Sequence, residues 1–140
     1  MSVKAIAKGV SMSPRKVGVV ASLVRGQSVK NALVILSHTP RRSAEPVKKV
    51  IESARANAEH NHGFKPDTLK ITEIIVTPGA RQKRFRPAAR GRALPYQLRS
   101  SHIRVVVDGE KRTIKKTVSE KNDKVTTPNA STKLSTRETK

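Results

Sequence analysis

Leu69-Lys70-Ile71-Thr72-Glu73-Ile74-Ile75-Val76-Thr77 and Ile103-Arg104-Val105-Val106-Val107 are two runs dense in Ile, Val and Thr, side chains that favour a pleated, half-buried surface. Both read as strands, and the second is the expected antiparallel partner of the first. Between them, residues 79–102 hold almost nothing that builds a core, so a long hairpin is the economical connection. At about 3.3 Å per residue, arms of roughly ten residues project on the order of 30 Å from the body. Pro87, Gly91 and Pro95 predict that the tip is a loop rather than a continued ladder.

Upstream, Val3 to Val10 alternates loosely between apolar and basic and predicts a half-buried strand. Ser13-Pro14 offers an N-cap followed by proline at the first helical position. Val17, Val20, Ala21 and Val24 follow at i, i+3, i+4 and i+7, and Gly26 is placed to end that helix. Ser28 caps a second helix with Val29, Ala32, Leu33 and Leu36 on one face, and Thr39-Pro40 stops it. A third begins near Ser43, tolerates Pro46 in its first turn, and carries Val47, Val50, Ile51, Ala54 and Ala58 through about Asn61. The fold class is therefore α+β, with residues 1–108 as one domain and its extended hairpin at about 78–102. Residues 109–140 read as a basic C-terminal extension, disordered or ordered only on RNA. Asp108-Gly109 is the alternative, a turn into a further strand at 113–118.

The charge points to the partner. The 140 residues contain 30 Lys and Arg against 10 Asp and Glu, a formal net charge of +20, so a polyanion is the leading expectation. Eight of the cations, Arg81, Lys83, Arg84, Arg86, Arg90, Arg92, Arg99 and Arg104, fall within residues 79–104, where no carboxylate occurs. Arginine donates two parallel hydrogen bonds to a phosphate and stacks on bases, which suits rigid, shaped RNA. A hairpin carrying eight like charges repels itself and gains its order from a polyanion that surrounds it. Arg15, Lys16 and Arg25 add cations at the two ends of the first helix. Aromatics make up only 2% of the chain, so the stacking surfaces of common single-strand RNA modules are hard to assemble. Phe85 and Tyr96 either stack on bases or pack across the hairpin.

Other classes lose support on composition. With no cysteine, disulfides, thiolate zinc sites and cysteine nucleophiles are excluded, and a reducing cytosol fits. The N-terminus lacks the apolar run of a signal peptide, and no stretch approaches the roughly 18 apolar residues of a membrane span. A metal-dependent nuclease using His38, His60, His62 and His102 is weakly supported, because i and i+2 side chains in Glu59-His60-Asn61-His62 diverge on a helix. The glycines form no phosphate-cradling loop, and no cofactor, metal or small-molecule substrate is expected. A DNA-binding architectural protein, with the hairpin as an embracing arm, is the alternative to RNA.

Lys83-Arg84-Phe85-Arg86-Pro87-Ala88-Ala89-Arg90-Gly91-Arg92-Ala93, followed by Arg99-Ser100-Ser101-His102-Ile103-Arg104-Val105-Val106-Val107, closely resembles the signature region of the bacterial-type large-subunit ribosomal protein L-twenty-two family. Ser13-Pro14-Arg15-Lys16-Val17, Val24-Arg25-Gly26, Ala32-Leu33, Val47 to Ala54 and Asn57-Ala58-Glu59-His60-Asn61 resemble its helical segments, and the similarity spans roughly residues 3–108. The resemblance implies three helices packed on a small three-stranded antiparallel sheet, seated on the cytoplasmic ribosome's large subunit near the peptide exit. It further implies a non-enzymatic protein that binds large-subunit ribosomal RNA, supports assembly and touches neighbouring ribosomal proteins. The hairpin then lies along that RNA. Its tip, Arg86, Pro87, Ala88, Ala89, Arg90, Gly91 and Arg92, helps line the tunnel of the nascent peptide. Ala88 stands where the family commonly has arginine, Arg86 where an apolar residue is frequent, and Leu94-Pro95-Tyr96 replaces a more polar, proline-free return arm. The expected RNA contacts are Arg15, Lys16, Arg25, Arg81, Lys83, Arg84, Arg86, Arg90, Arg92 and Arg99, with Ser101 and His102 at the hairpin root.

Overall fold

The computed structural model describes residues 2–112. Chain order runs β1 (Val3–Val10), α1 (Pro14–Val24), α2 (Val29–His38), α3 (Ala44–Ala56), a π turn (Asn57–Asn61), β2 (Lys70–Pro87), a short 3-10 turn (Ala89–Gly91) and β3 (Ala93–Asp108). The three strands form one antiparallel sheet in the order β1-β3-β2, so the expected α+β architecture with a long hairpin is present. The alternative further strand at 113–118 lies outside the described residues. No helix among the described residues is long and apolar enough to cross a membrane.

The helical stripes became the core. Val17, Val20, Ala21 and Val24 of α1, Val29, Ala32 and Leu36 of α2, and Val47, Val50, Ile51 and Ala54 of α3 are all buried. They pack on the inward side of the sheet, which presents Val3, Ala5, Ile71, Ile74, Ile103, Val105 and Val107. The π turn carries the stripe of α3 one step further, and Ala58 is fully buried. Phe64, expected in a turn-rich connector, is the largest fully buried side chain. Its N–H donates to the Ala58 carbonyl at 3.0 Å.

Local chemistry sets the boundaries. Pro14 occupies the first turn of α1, but the Ser13 side chain makes no capping bond. The Ser13 carbonyl already accepts from the N–H of Lys16 at 3.0 Å, which is the donor a capping hydroxyl takes. Ser28 does cap α2, accepting from the Asn31 N–H at 3.3 Å. Between these helices Gly26 adopts φ +77°, and the turn is strapped along the outer edge of β2. Gly26 and Val29 donate to the carbonyls of Ile71 and Leu69, and Ile71 donates to Gln27. This covers an edge that would otherwise offer unpaired backbone groups.

Residues 109–112 stay on the body. Arg112 donates its N–H to the Gly63 carbonyl at 2.8 Å, Lys65 donates to Glu110 at 3.0 Å, and Lys111 bridges Phe64. These backbone bonds give fixed partners to the start of an extension whose composition alone suggested none. We expect Phe64→Ala to remove about 3–5 kcal/mol of stability, read as a lowered urea midpoint with little change in slope. A loss below 1 kcal/mol would show that Phe64 is not a core anchor.

Candidate nucleic-acid interface

β2 and β3 leave the body together at a root held from three sides. Their register changes between Pro78, opposite Ser101, and Arg81, opposite Arg99. Gly79 lies in that irregularity, where a Cβ would stand 2.5 Å from Ser100 Oγ and 3.2 Å from His102 Nε2. The Ser100 hydroxyl donates to the Ala80 carbonyl at 2.7 Å. His102 Nδ1 accepts from the Gly9 N–H at 2.9 Å, tying β3 to the bulged end of β1. The finger's direction is thus set by the body before any ligand arrives.

Beyond the root, every residue from Arg81 to Arg99 is exposed except half-buried Ala88. Directly opposed residues share a face of a ribbon, and faces alternate along each strand. One face therefore carries Arg81 with Arg99, Lys83 with Gln97, and Phe85 with Pro95; the other carries Gln82 with Leu98, Arg84 with Tyr96, and Arg86 with Leu94. Like charges placed directly across a ladder are destabilising, and Arg81 opposite Arg99 is such a pair. On the second face the Arg84 guanidinium donates to the Lys83 carbonyl at 2.9 Å and to Gln82 Oε1 at 3.3 Å. The Arg86 guanidinium lies 5.7 Å from the centre of the Tyr96 ring, within cation–π range.

The tip is tighter than the prolines suggested. Pairing continues to Pro87 opposite Ala93, with Pro95 inside the ladder opposite Phe85. In a two-stranded ribbon each strand has an open edge, where a residue without an N–H is tolerated. Only Ala88–Arg92 turn, closed by the Ala88 N–H donating to the Arg92 carbonyl at 2.8 Å. Arg90 and Gly91 both adopt positive φ, 58° and 70°. Arginine in that region carries a steric cost of about 1–2 kcal/mol, so the turn holds Arg90 in a conformation glycine would take more easily.

The fold also assembles a cationic cleft that sequence spacing did not foretell. At the hairpin root a cavity of about 580 Å³ is lined by Ser11, Met12, Ser13, Lys16, Arg41, Arg42, Ser43, Gln97, Leu98 and Arg99. It joins the expected Lys16 and Arg99 to Arg41 and Arg42, which were not among the expected contacts. Their only sequence signal is a pair of arginines just after the Thr39-Pro40 helix stop. Arg15 is exposed but outside this cleft, as are Arg90 and Arg92 at the distant tip.

Two of the expected contacts have particular surroundings. Ser101 is fully buried, and its hydroxyl has no partner among the described residues. Alternation along β3 turns it inward with Ile103, Val105 and Val107, away from the exposed surface. Arg25 is exposed, yet its Nη2 donates to the Ile74 carbonyl at 3.0 Å, so one end of its guanidinium holds β2. His102 and Arg104 lie on the open face of the sheet, beside Ile6, Lys8, Ile75 and Thr77.

The acids are elsewhere. Ion pairs join Lys30 to Asp67, Lys49 to Glu45 and Arg112 to Glu59, all on the body. Hydrogen bonds from Lys49 and Lys30, reinforced by their charge, hold the Glu45 and Asp67 carboxyls below the usual carboxylate range. Among the described residues no three His, Asp or Glu side chains gather closely enough to hold a metal ion.

Comparison with known proteins identifies relatives along most of the chain. The family model described as Ribosomal protein L22p/L17e matches residues 5–108. The chain is 50% identical over 111 residues to the large ribosomal subunit protein uL22 of Oceanobacillus iheyensis, covering 79% of this chain and 98% of that relative. It is 49% identical over 111 residues to the protein of the same name from Clostridioides difficile, covering 79% of this chain and 100% of that one.

Relieving the Arg81–Arg99 repulsion should steady the free ribbon. We expect Arg99→Gln to slow trypsin cleavage after Lys83 or Arg84 by about 1.5- to 5-fold at low salt, matching 0.2–1 kcal/mol for a cross-strand pair. The gain should disappear near 1 M salt, where screening acts within about 3 Å. Equal cleavage at low salt would show that the opposed guanidinium groups do not destabilise the ribbon.

Proposed function

The chain belongs to the Ribosomal protein L22p/L17e family, and from that premise we propose that it is a structural constituent of the large ribosomal subunit in the cytoplasm. Its hairpin lies against large-subunit ribosomal RNA. The observation that carries this reading is the ribbon itself: exposed at every residue from Arg81 to Arg99 but Ala88, free of carboxylates, and with arginine opposed to arginine. Such an element has no burial to hold it, whereas phosphates on both faces convert repulsion into attraction.

Arg81, Lys83, Arg84, Arg86, Arg90, Arg92 and Arg99 bind phosphates along the finger. Lys16, with Arg41 and Arg42, continues the basic track into the root cleft, and Arg15 and His102 extend it over the neighbouring surface. The tip from Arg86 to Arg92 reaches furthest from the body and lines the path of the nascent peptide. Neighbouring ribosomal proteins complete the surroundings, and the role is assembly and support rather than catalysis.

Sedimentation in high magnesium should place the chain with large subunits, and its recovery only as free protein would overturn the reading. Structured ribosomal RNA should outcompete duplex DNA at equal salt; the reverse preference would favour an architectural DNA-binding protein. Arg84→Ala or Arg90→Ala should weaken assembly. Each should also lower the steepness of the salt dependence by somewhat less than about one unit, as loss of one phosphate contact requires. An unchanged slope would mean that the altered arginine meets no phosphate.

A further inference from the structure

The two aromatic side chains of the hairpin are in different situations. Tyr96 shares its face with Arg84 and Arg86, and the Arg86 guanidinium already lies over its ring. Phe85 points to the opposite face and is 70% exposed, the most exposed large hydrophobic side chain among the described residues. No other ring or guanidinium covers it among those residues. Pro95 stands directly across and backs it, and Lys83 with Gln97 is the next pair on that face. Together with Arg99, and with Tyr96 at the ribbon's edge, these groups line an open cavity of about 570 Å³, a size that accommodates a small planar ligand.

We infer that Phe85 is a stacking platform for one unstacked nucleobase of the surrounding RNA, with Lys83 and Arg99 holding adjacent phosphates. The inference rests on the RNA reading of the hairpin. Each component fits a part of a nucleotide. The Phe85 ring offers a π face, and stacking on it is indifferent to base identity. Lys83 and Arg99 offer charge to the sugar-phosphate backbone, and Gln97 adds an amide donor and acceptor beside the ring. An apolar protein segment would satisfy Phe85 and Pro95 but leave the flanking cations with nothing to pair. A polyanion carrying planar rings satisfies both.

The test uses purified large subunits free of nascent chains and carrying the full-length chain as wild type, Phe85→Leu or Phe85→Tyr. Leucine keeps apolar bulk without a π face, whereas tyrosine keeps the ring. Base-specific chemical probing reads the accessibility of each unpaired nucleotide near the hairpin. The expected result is one nucleotide whose reactivity rises about fivefold or more in Phe85→Leu, as loss of a stacking contact implies, and returns to the wild-type level in Phe85→Tyr. Identical reactivity in all three particles, with the protein present, overturns the platform and leaves RNA binding intact. A nucleotide whose reactivity rises as much in Phe85→Tyr as in Phe85→Leu also overturns it, because the ring then contributes no stacking. Absence of the wild-type protein from the subunits removes the RNA reading itself.

Discussion

Arg81 faces Arg99 across a ribbon that has no core on either side. Opposed side chains in an antiparallel pair stand about 4.5–5.5 Å apart at Cβ, and like charges placed directly opposite are destabilising. The next cations along the strands add to the field, and no carboxylate within the ribbon offsets it. Backbone hydrogen bonds alone give an isolated two-stranded hairpin marginal stability at best. The ribbon's own contacts therefore give it little order, and in the proposed function a folded RNA supplies the missing negative charge on both faces at once.

A finger ordered by its surroundings still needs a fixed base. The body provides one through ordinary packing: helical stripes on the inward face of the sheet, Phe64 beneath the π turn, and the Gly26–Val29 strap along β2. At the root, Gly79 admits Ser100 and His102 at close range, and His102 binds the bulged end of β1. Lys16, Arg41, Arg42 and Arg99 meet there. Rigid apolar packing thus continues directly into a cationic track, so one end of the protein folds by burying surface while the other is an exposed ribbon of like charge.

Much of this was legible in the sequence because it follows from local periodicity. The helical stripes, the strand-forming runs at 69–77 and 103–107, and the acid-free segment between them each depend on neighbouring residues alone. Pro95 was misread as a loop signal because its consequence depends on whether a neighbouring strand needs its N–H, and in a ribbon with open edges it does not. The burial of Ser101 was legible from the period-two rule: once Ile103, Val105 and Val107 face inward, Ser101 does too. Arg41 and Arg42 could not be joined to Lys16 and Arg99 in advance, since only the tertiary fold brings those segments together. Phe85 and Tyr96 had equivalent prospects until strand register sent them to opposite faces and gave only Tyr96 a guanidinium partner.

The central claim is that the finger takes its order from the RNA around it, and amide hydrogen exchange of the wild-type chain tests it most directly. With the chain free at low salt, amides between Arg81 and Arg99 should exchange rapidly while those of Ile103, Val105 and Ile51 remain protected; in the large subunit both sets should be slow. Equal, strong protection of the ribbon in the free chain would contradict the account, as would rapid exchange that persists inside the particle.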